Sequence, residues 1–529
     1  MRERNYIDPG RSPAIGENGM AATSHPAATL TAIDILRAGG NAIDAALAAV
    51  AVQSVVEPAM TGIGGDCFAI VAPAGKPIIA FNGSGRSCAG ADAERLRVKG
   101  LSRIDEESPD AVTIPGAVDA WCQLSQTFGR MELAEILAPA IALADNGFRV
   151  AGRVAYDWAR EGKRLEHHEA ARTQFLPGGK APTTGDRFAI PALAATLRAI
   201  AANGRAAFYE GSVAEEMVSV LRECGGRHTV YDFSRHRGFA TEPIGADFRG
   251  RRVLECPPNG QGVAALLIAR ILDGFDLSDD AVSEADRVHL LAEASKAAYH
   301  QRDLLIADPD HMRISVEEVL SERFVAALRS KIRMDRASEA SIWDGPVHRD
   351  TVYLSVVDRD GNAVSLINSL FSAFGSGIYA PVSGVLLQNR GSGFSLNEGH
   401  ANELAPRKLP LHTIIPGMVV HNNLPVMPFG VMGGQFQATG HAHFLSHLYD
   451  RGFDPQRANE APRSFSFDGR LSLEPAFGDK VRADLEERGH RTEWANAPIG
   501  GCQAVLIDRA RGVFIGSSDH RKDGFALGY

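Results

Sequence analysis

The sequence changes from helical to strand-like patterning at one point, and this change limits the folds that the chain can adopt. Residues 115–224 and 262–332 mainly repeat hydrophobic side chains roughly every three to four positions, which predicts helices. From Thr351 onward, short runs rich in β-branched and aromatic residues alternate with turn residues, which predicts strands. We therefore expect a helix-rich segment, residues 1–350, followed by a strand-rich segment, residues 351–529.

Shorter patterns predict individual elements. Ser24 is expected to cap a helix that stops at Gly39–Gly40, and Asn41 is expected to cap a second helix that stops before the next proline. Two apolar runs on either side of Ala74–Gly75 predict a β-hairpin. In the second segment, the run QATGHAHFLSHLYDRG predicts a helix that ends at Gly452.

Composition and charge exclude several classes of function. The 529 residues carry a net charge of -9, whereas nucleic-acid binding needs a clustered basic surface, so we expect no nucleic-acid partner. The six cysteines are scattered without a Cys-x-x-Cys pair, which argues against a disulfide scaffold and for a reducing compartment. Residues 1–20 lack the apolar core of a signal peptide, and no later stretch is apolar enough to span a bilayer. We therefore expect a cytoplasmic protein without a membrane partner.

Several short motifs resemble known sites but lack residues that the chemistry requires. The run HRD at 348–350 matches a kinase catalytic loop, but Ser355 replaces the asparagine that kinases need five residues later. The sequence contains no GxxxxGK[ST] phosphate loop and no GxSxG nucleophile elbow. His443 and His447 are spaced to share a helix face, but no acidic third ligand stands beside them, so we predict packed histidines. We expect neither a metal nor an organic cofactor.

Thr351 is the leading candidate for a catalytic residue. Inside a chain its hydroxyl is a poor nucleophile, but cleavage of the Asp350–Thr351 bond would give it a free α-amine with an ordinary pKa of about 7.7–8.0. Such an amine can accept the proton of the same residue's hydroxyl at neutral pH, so the nucleophile would carry its own base. The alternative is that Thr351 is a strand residue, favoured there by its β-branched side chain.

The stretch around Thr351 belongs to a larger pattern that covers nearly the whole chain. In order, its parts are SHPAATLTAIDILRAGGNAIDAALAA, VVEPAMTGIGGDCF, TIPGAVDAW, DTVYLSVVDRDGNAVSLINSLFSAFGSGI, GVLLQNRGSGFS, LPLHTIIPGMV, GVMGGQ, APRSF and GSSDHRKDG. In this order and spacing the chain resembles the γ-glutamyltransferase family of N-terminal-nucleophile hydrolases. The resemblance implies an α+β fold of four layers, αββα, and a precursor that cleaves itself between Asp350 and Thr351. It also implies that residues 1–350 and 351–529 are the large and small chains of one structural domain.

The resemblance further implies a catalytic role for the matching residues. Thr351 is then the nucleophile, and its amine acts first as base and later as acid. Gly433 and Gly434 match the glycine pair whose backbone N–H groups form the oxyanion hole, where the absence of a Cβ lets the backbone approach the substrate. Ser369 matches a supporting threonine near the nucleophile.

The residues that would bind the α-carboxylate of a γ-glutamyl substrate are only partly kept. Asn82 stands where these enzymes have an arginine, and Arg86, four residues later, is a candidate to replace it. His412 and Thr413 match a serine pair that holds the same carboxylate, and only Thr413 keeps the hydroxyl. All four are candidate substrate-binding residues.

The residues that would bind the α-amine of such a substrate are changed as well. Phe371 and Gly393 occupy the positions of the asparagine and the acidic residue that hold this amine, and Arg390 brings a cation nearby. A cation disfavours an ammonium group, whereas the planar guanidinium fork suits a carboxylate. Arg390 is therefore a candidate for binding an anionic acyl group, and the alternative is a structural ion pair.

These departures resemble the amidohydrolase branches of the family, which include oxamate amidohydrolases and cephalosporin acylase-like proteins. We therefore predict an autoprocessed threonine amidohydrolase that hydrolyses a small acidic amide, such as oxamate, through a covalent acyl-enzyme. Two alternatives stay open: hydrolysis or transpeptidation of γ-glutamyl amides such as glutathione, and an uncleaved binding protein without activity. The expected partners are the acidic amide and the two chains of one precursor, with a homodimer of processed heterodimers as a hypothesis for assembly.

Overall fold

Two antiparallel sheets of seven strands each form the centre of the structure, a computed structural model that describes residues 5–7, 9–339 and 351–529. The strands are, in chain order, β1 (Ala14–Gly16), β2 (Gly19–Thr23), β3 (Asp66–Ala72), β4 (Ile79–Gly83), β5 (Phe148–Arg149), β6 (Arg187–Phe188), β7 (Phe239–Thr241), β8 (Ile244–Phe248), β9 (Arg251–Glu255), β10 (Val352–Asp358), β11 (Ala363–Ser369), β12 (Tyr379–Ala380), β13 (Val385–Leu386), β14 (Gly417–His421), β15 (Leu424–Met432), β16 (Ser464–Phe467), β17 (Arg470–Leu473), β18 (Thr492–Trp494), β19 (Gly501–Asp508), β20 (Val513–Ser518) and β21 (Phe525–Gly528). The first sheet has the order β1-β20-β19-β15-β14-β9-β8, and the second has the order β21-β2-β10-β11-β3-β4-β7.

Eighteen α-helices occur among the described residues, and several of them cover the outer faces of the two sheets. They are α1 (Pro26–Arg37), α2 (Ala42–Val56), α3 (Ala93–Val98), α4 (Ala117–Phe128), α5 (Leu133–Asn146), α6 (Gly152–Glu161), α7 (Glu169–Phe175), α8 (Pro191–Asn203), α9 (Ala206–Tyr209), α10 (Ser212–Glu223), α11 (Val230–Arg235), α12 (Gly262–Leu272), α13 (Glu284–Leu305), α14 (Val316–Val319), α15 (Glu322–Arg329), α16 (Gln437–Tyr449), α17 (Pro455–Glu460) and α18 (Gly478–Glu487). Among these helices of the described residues, none combines the length and the apolar character that crossing a membrane requires.

Three hydrophobic clusters define the order of the layers. One cluster lies between the sheets and takes side chains from both, such as Tyr353 of β10 and Met418 of β14. A second cluster packs the other face of the second sheet against α1, α2, α4 and α5, and a third packs the other face of the first sheet against α12, α13 and α16. Each sheet therefore has one face on the partner sheet and one face on helices. The predicted four-layer αββα fold is confirmed.

Both predicted segments supply strands to both sheets. In the second sheet, β10 and β11 lie between β2 and β3, which come from the first segment. In the first sheet, β14 pairs with β9, and β20 pairs with β1. The backbone ladders therefore bind residues 351–529 to the preceding segment along several strands. These ladders do not depend on the covalent connection between the two segments.

The local predictions near the N-terminus are confirmed with one correction. Asn41 caps α2 as predicted, and its side chain accepts hydrogen bonds from the N–H groups of Ile43 and Asp44. β3 and β4 form the predicted hairpin. Ser24 is not the cap of α1, because its hydroxyl donates to the buried carboxylate of Glu57 at 2.7 Å. His25 caps this helix instead.

The second-segment helix is shorter than predicted. α16 ends at Tyr449 and not at Gly452, which has a φ of 69° and lies in the following turn. Every residue of α16 from Gln437 to Leu448 is buried. The helix therefore lies in the interior of the helical layer, directly after the glycine pair that ends β15.

Contacts between the sheets bring one end of β10 to one end of β15. The Ser355 hydroxyl donates to the Pro428 carbonyl at 3.1 Å, and the Tyr353 ring packs against Gly430, where an added Cβ would overlap the ring. Residues earlier in β10 therefore lie opposite residues later in β15. The same progression brings Thr351, which precedes β10, to the edge where β15 ends.

Replacing Gly430 by alanine tests this contact. The added methyl group would overlap the Tyr353 ring, which is held by neighbouring hydroxyl groups, so we expect a loss of about 1–3 kcal/mol in the free energy of unfolding. Denaturant unfolding of the purified variant measures this loss. Gly152→Ala is a matched control, because the nearest atom to its Cβ would be 4.0 Å away. Equal stability of the two variants would contradict the proposed packing.

Candidate active site

Thr351 lies fully buried at the start of β10, next to Ser369 at the end of β11. The Thr351 hydroxyl donates to Ser369 Oγ at 3.2 Å, and Ser369 Oγ also accepts a hydrogen bond from the Phe371 N–H at 2.9 Å. The pairing of Val352 with Asn368 across the antiparallel ladder brings the two hydroxyls together. The structure thus joins two of the residues that the sequence analysis selected. Asp350, the other half of the expected cleavage site, lies outside the described residues.

The glycine pair at the end of β15 has a backbone that other residues adopt rarely. Gly433 has a φ of 124° and Gly434 has a φ of 57°, and a Cβ on Gly433 would lie 2.8 Å from the Cα of Gly500. The side-chain amide of buried Gln261 donates to the Gly434 carbonyl at 3.1 Å. Arg302 in turn donates a hydrogen bond to the side-chain oxygen of Gln261 at 2.7 Å. These contacts fix the position of the backbone at Gly433 and Gly434.

Arg390 is fully buried, and its guanidinium is only partly satisfied. One terminal nitrogen, Nη1, donates to the Thr413 hydroxyl at 2.8 Å, and the guanidinium carbon lies 4.0 Å from the centre of the Phe371 ring. Nε and Nη2 have no hydrogen-bond partner among the described residues. Burial lowers the pKa of Arg390 to about 9, while the charge of Asp66 acts in the opposite direction. One edge of this buried cation therefore has no acceptor in the ranges 5–7, 9–339 and 351–529.

Asp66 stands behind this arginine with both of its carboxylate oxygens engaged. Oδ2 pairs with His412 Nε2 at 2.9 Å, and Oδ1 accepts hydrogen bonds from Gln388 Nε2 at 2.9 Å and from two backbone N–H groups, of Gly85 and Gly116. Burial raises the pKa of Asp66 to about 6, and the charge of Arg390 opposes this rise. Asp66 was not selected from the sequence. The available signal was a carboxylate in the glycine-rich run GIGGDCF, at the first residue of the buried strand β3.

His412 is part of the same buried cluster. Its ring lies 4.7 Å from the Phe68 ring, and the Ile414 N–H donates to its Nδ1 at 3.4 Å. Nε2 therefore carries the hydrogen that is donated to Asp66. Burial lowers the pKa of His412 well below its usual range, and the Arg390 charge adds to this effect. The imidazole is a neutral link between Asp66 and the loop that carries Thr413.

The other two candidate substrate-binding residues, Asn82 and Arg86, are held by partners other than Arg390. Asn82 is buried and donates from Nδ2 to the Asn259 side chain at 2.9 Å, while its Oδ1 accepts a hydrogen bond from the Ser84 N–H at 3.0 Å. Arg86 is half-exposed and pairs with Asp308 at 3.2 Å. It lines a cavity of about 400 Å³ whose described lining does not include Thr351, Arg390 or Thr413.

Two pairs of histidines outside this region contact each other. His443 and His447 lie with ring centres 4.2 Å apart, and His447 Nδ1 contacts the His443 carbonyl at 2.9 Å, as expected for packed residues. His289, Glu293 and His490 bring three potential metal-ligand atoms within 4.8 Å. Their atoms already contact neighbours: His289 Nδ1 lies 2.8 Å from His490 Nε2, and the Glu293 carboxylate accepts from Lys296 at 2.7 Å.

An Asp66→Asn variant tests the burial of this carboxyl group. Because the folded-state pKa of about 6 lies above the ordinary value of 3.8, the stability contributed by the protonated group is complete below about pH 4 and is lost as the pH rises through about 6. The unfolding free energy of the unsubstituted protein, relative to Asp66→Asn, should thus fall by up to about 3 kcal/mol across this range and level off above it. Urea unfolding at stepped pH, with both proteins carrying Thr351→Ala to keep them as single chains, measures this difference. A difference that rises with pH would contradict the assignment.

Comparison with known proteins assigns nearly the whole chain to one family. The family model described as gamma-glutamyltranspeptidase matches residues 28–529. The glutathione hydrolase-like YwrD proenzyme of Bacillus subtilis (strain 168) is 38% identical, over 97% of this chain and 99% of its own length. The oxamate amidohydrolase proenzyme of Klebsiella pneumoniae subsp. pneumoniae is 34% identical, over 98% of this chain and 100% of its own length.

A solved structure agrees over the same extent. The cephalosporin acylase from Bacillus halodurans has a TM-score of 0.93 and 36% sequence identity, with coverage of 100% of this chain and 99% of that chain. The relatives are proenzymes of hydrolases, which implies processing into a large and a small chain and favours an enzyme over an inactive binding protein. The chain therefore belongs to the gamma-glutamyltranspeptidase family and is an N-terminal-nucleophile amidohydrolase.

Proposed function

We propose that the chain cleaves itself between Asp350 and Thr351 and then hydrolyses small amides whose acyl group carries a carboxylate. The observation that carries this proposal is the buried guanidinium of Arg390, whose Nε and Nη2 lack an acceptor among the described residues. These two nitrogens form the edge that pairs side-on with both oxygens of a carboxylate. A bound acyl carboxylate would supply the missing acceptors.

The position of Thr351 supports its role as the nucleophile. After cleavage, its Oγ would attack the amide carbonyl while its α-amine takes the hydroxyl proton. The N–H groups of Gly433 and Gly434 would stabilise the oxyanion, and the proton would pass to the departing amine. The Thr351 α-amine would then activate a water molecule, which releases the acid from the acyl-enzyme. Ser369, which accepts the hydrogen bond of the Thr351 hydroxyl, would orient the nucleophile.

The charges around Arg390 support an anionic acyl group without an amine. The oxygens of Asp66, the nearby carboxylate, already accept hydrogen bonds from His412, Gln388 and the backbone, so they are poorly placed to receive an ammonium group. Phe371 offers a ring face that stacks on the guanidinium and no acceptor side chain. Oxamate, which has a carboxylate beside its amide and no amine, fits these charges, and one relative is an oxamate amidohydrolase.

Action on γ-glutamyl amides is the second candidate. Thr413 keeps the hydroxyl expected to hold a glutamyl carboxylate, and it already accepts a hydrogen bond from Arg390. Relatives that are glutathione hydrolases from Bacillus subtilis and Escherichia coli are 28% and 30% identical to this chain. Ammonia release from oxamate and glutamate release from glutathione, measured on the same preparation, separate the two candidates. A dipeptide acceptor added to the second assay reveals transpeptidation.

The role of Thr351 is tested by intact mass and by hydrolysis. Thr351→Ala should remain one chain and lose at least about a thousandfold in hydrolysis, because the nucleophile is gone. Thr351→Ser keeps a hydroxyl and should still yield fragments 1–350 and 351–529. Cleavage or undiminished hydrolysis in the alanine variant would show that another residue is the nucleophile.

The role of Arg390 is tested against the other arginine candidate, Arg86. Arg390→Gln should raise KM for oxamate by about 10- to 100-fold, because a charge-assisted contact with the substrate is lost. Arg86→Gln should have a much smaller effect, since Arg86 lines a cavity whose described lining does not include Arg390 or Thr351. Steady-state kinetics on both processed variants measures this contrast. A larger rise for Arg86→Gln would transfer the carboxylate-binding role to that residue.

A further inference from the structure

An aromatic cleft adjoins the glycine pair, and Gly433 is one of its lining residues. It is a cavity of about 170 Å³ that Gly433 helps to line, together with Gly500 and the residues that precede it. Three phenylalanines form its walls: Phe436, which follows the glycine pair, and Phe465 and Phe467, which belong to β16. Among the described residues that line this cavity there is neither Arg390 nor Thr413.

The three phenylalanine rings form a flat apolar slot. Phe465 and Phe467 are stacked, with ring centres 5.2 Å apart and an angle of 12° between the planes. Phe436 meets Phe465 edge-on at 5.4 Å and 80°. Phe465 and Phe467 are two residues apart on one strand, so both rings project from the same face of the hairpin. Stacked and edge-on partners of this kind favour a further aromatic ring.

Three of the described polar residues at the cleft are paired with each other, and Asp468 adds a further carboxylate to its lining. Arg470 and Glu493 form an ion pair at 3.1 Å, and the Ser472 hydroxyl donates to the same carboxylate at 2.8 Å. All three residues line the cavity. Their mutual contacts reduce the net charge that a ligand in the cleft would meet. The slot is therefore suited to an apolar ring more than to a second carboxylate.

The position of the cleft relative to Gly433 indicates which half of a substrate it would hold. In the tetrahedral intermediate, the acyl substituent and the amine nitrogen occupy different bonds of the reacting carbon, so they extend into different regions. Under the proposed function, Arg390 holds the acyl carboxylate. We propose that the cleft of Phe436, Phe465 and Phe467 binds the amine half of the substrate, and that this amine carries an aromatic or similarly flat apolar ring. This inference rests on the proposed function.

The proposal is tested with two amides of one acid, oxamate and N-benzyloxamate. The unsubstituted amide releases ammonia, which cannot fill the cleft, whereas the other releases benzylamine. We expect the ratio of kcat/KM for N-benzyloxamate to that for oxamate to exceed one, and to fall by about tenfold or more in Phe467→Ala. Phe525→Ala, which removes an exposed ring on β21, is the matched control and should keep the ratio of the unsubstituted protein.

The outcomes separate this proposal from the proposed function. If oxamate is hydrolysed but the ratio does not exceed one, or does not change in Phe467→Ala, the cleft proposal is overturned while the proposed function stands. If neither amide is hydrolysed, the proposed function fails. In that case, fluorine NMR of p-fluorobenzylamine tests by itself whether the cleft binds an aromatic amine. Line broadening by the processed protein and by Phe525→Ala, but not by Phe467→Ala, supports the cleft, and equal spectra overturn it.

Discussion

The candidate active site depends on one close contact between the two sheets, where the Tyr353 ring lies directly against the backbone of Gly430. The Tyr353 hydroxyl shares hydrogen bonds with Ser355 at 2.8 Å and with Ser365 at 2.7 Å, so the ring cannot move aside easily. Because Gly430 has no side chain, the sheets can approach closely at this point. Thr351 lies two residues before this contact, and the glycine pair begins three residues after Gly430. The register of the sheets thus sets how near Thr351 lies to the glycine pair.

A buried cluster of ionisable groups is the basis of the proposed selectivity for an acidic substrate. Asp66, His412 and Arg390 are fully buried, and burying charges is costly unless they are paired. Asp66 and His412 satisfy one another and use neighbouring amides, whereas one edge of Arg390 has no acceptor within the part of the chain that the structure describes. An arriving carboxylate would complete the hydrogen bonding of the cluster. The same cluster would offer little to an ammonium group, which supports the proposal of an acidic amide as the substrate.

Much of the fold was predictable, because its elements are encoded locally. The Asn41 cap and the hairpin at Ala74–Gly75 depend on residues a few positions apart, and both are confirmed. The cap at Ser24 is wrong, because its hydroxyl binds Glu57, which is distant in sequence. Asp66 was missed for a similar reason. Its partner His412 lies 346 positions away, so no local pattern indicates that the two side chains meet.

The sequence by itself determined the family, the four layers and the candidates Thr351, Gly433 and Gly434, because contiguous motifs carry these features. Only the tertiary structure decided which side chains contact Arg390, and that the cavity lined by Arg86 does not have Arg390 among its described lining residues. It alone revealed the aromatic cleft, whose walls come from separate parts of the chain. The physical reason is that charge and packing depend on distance in space. That distance follows from the stacking of two sheets, and each sheet contains strands from both sides of residue 350.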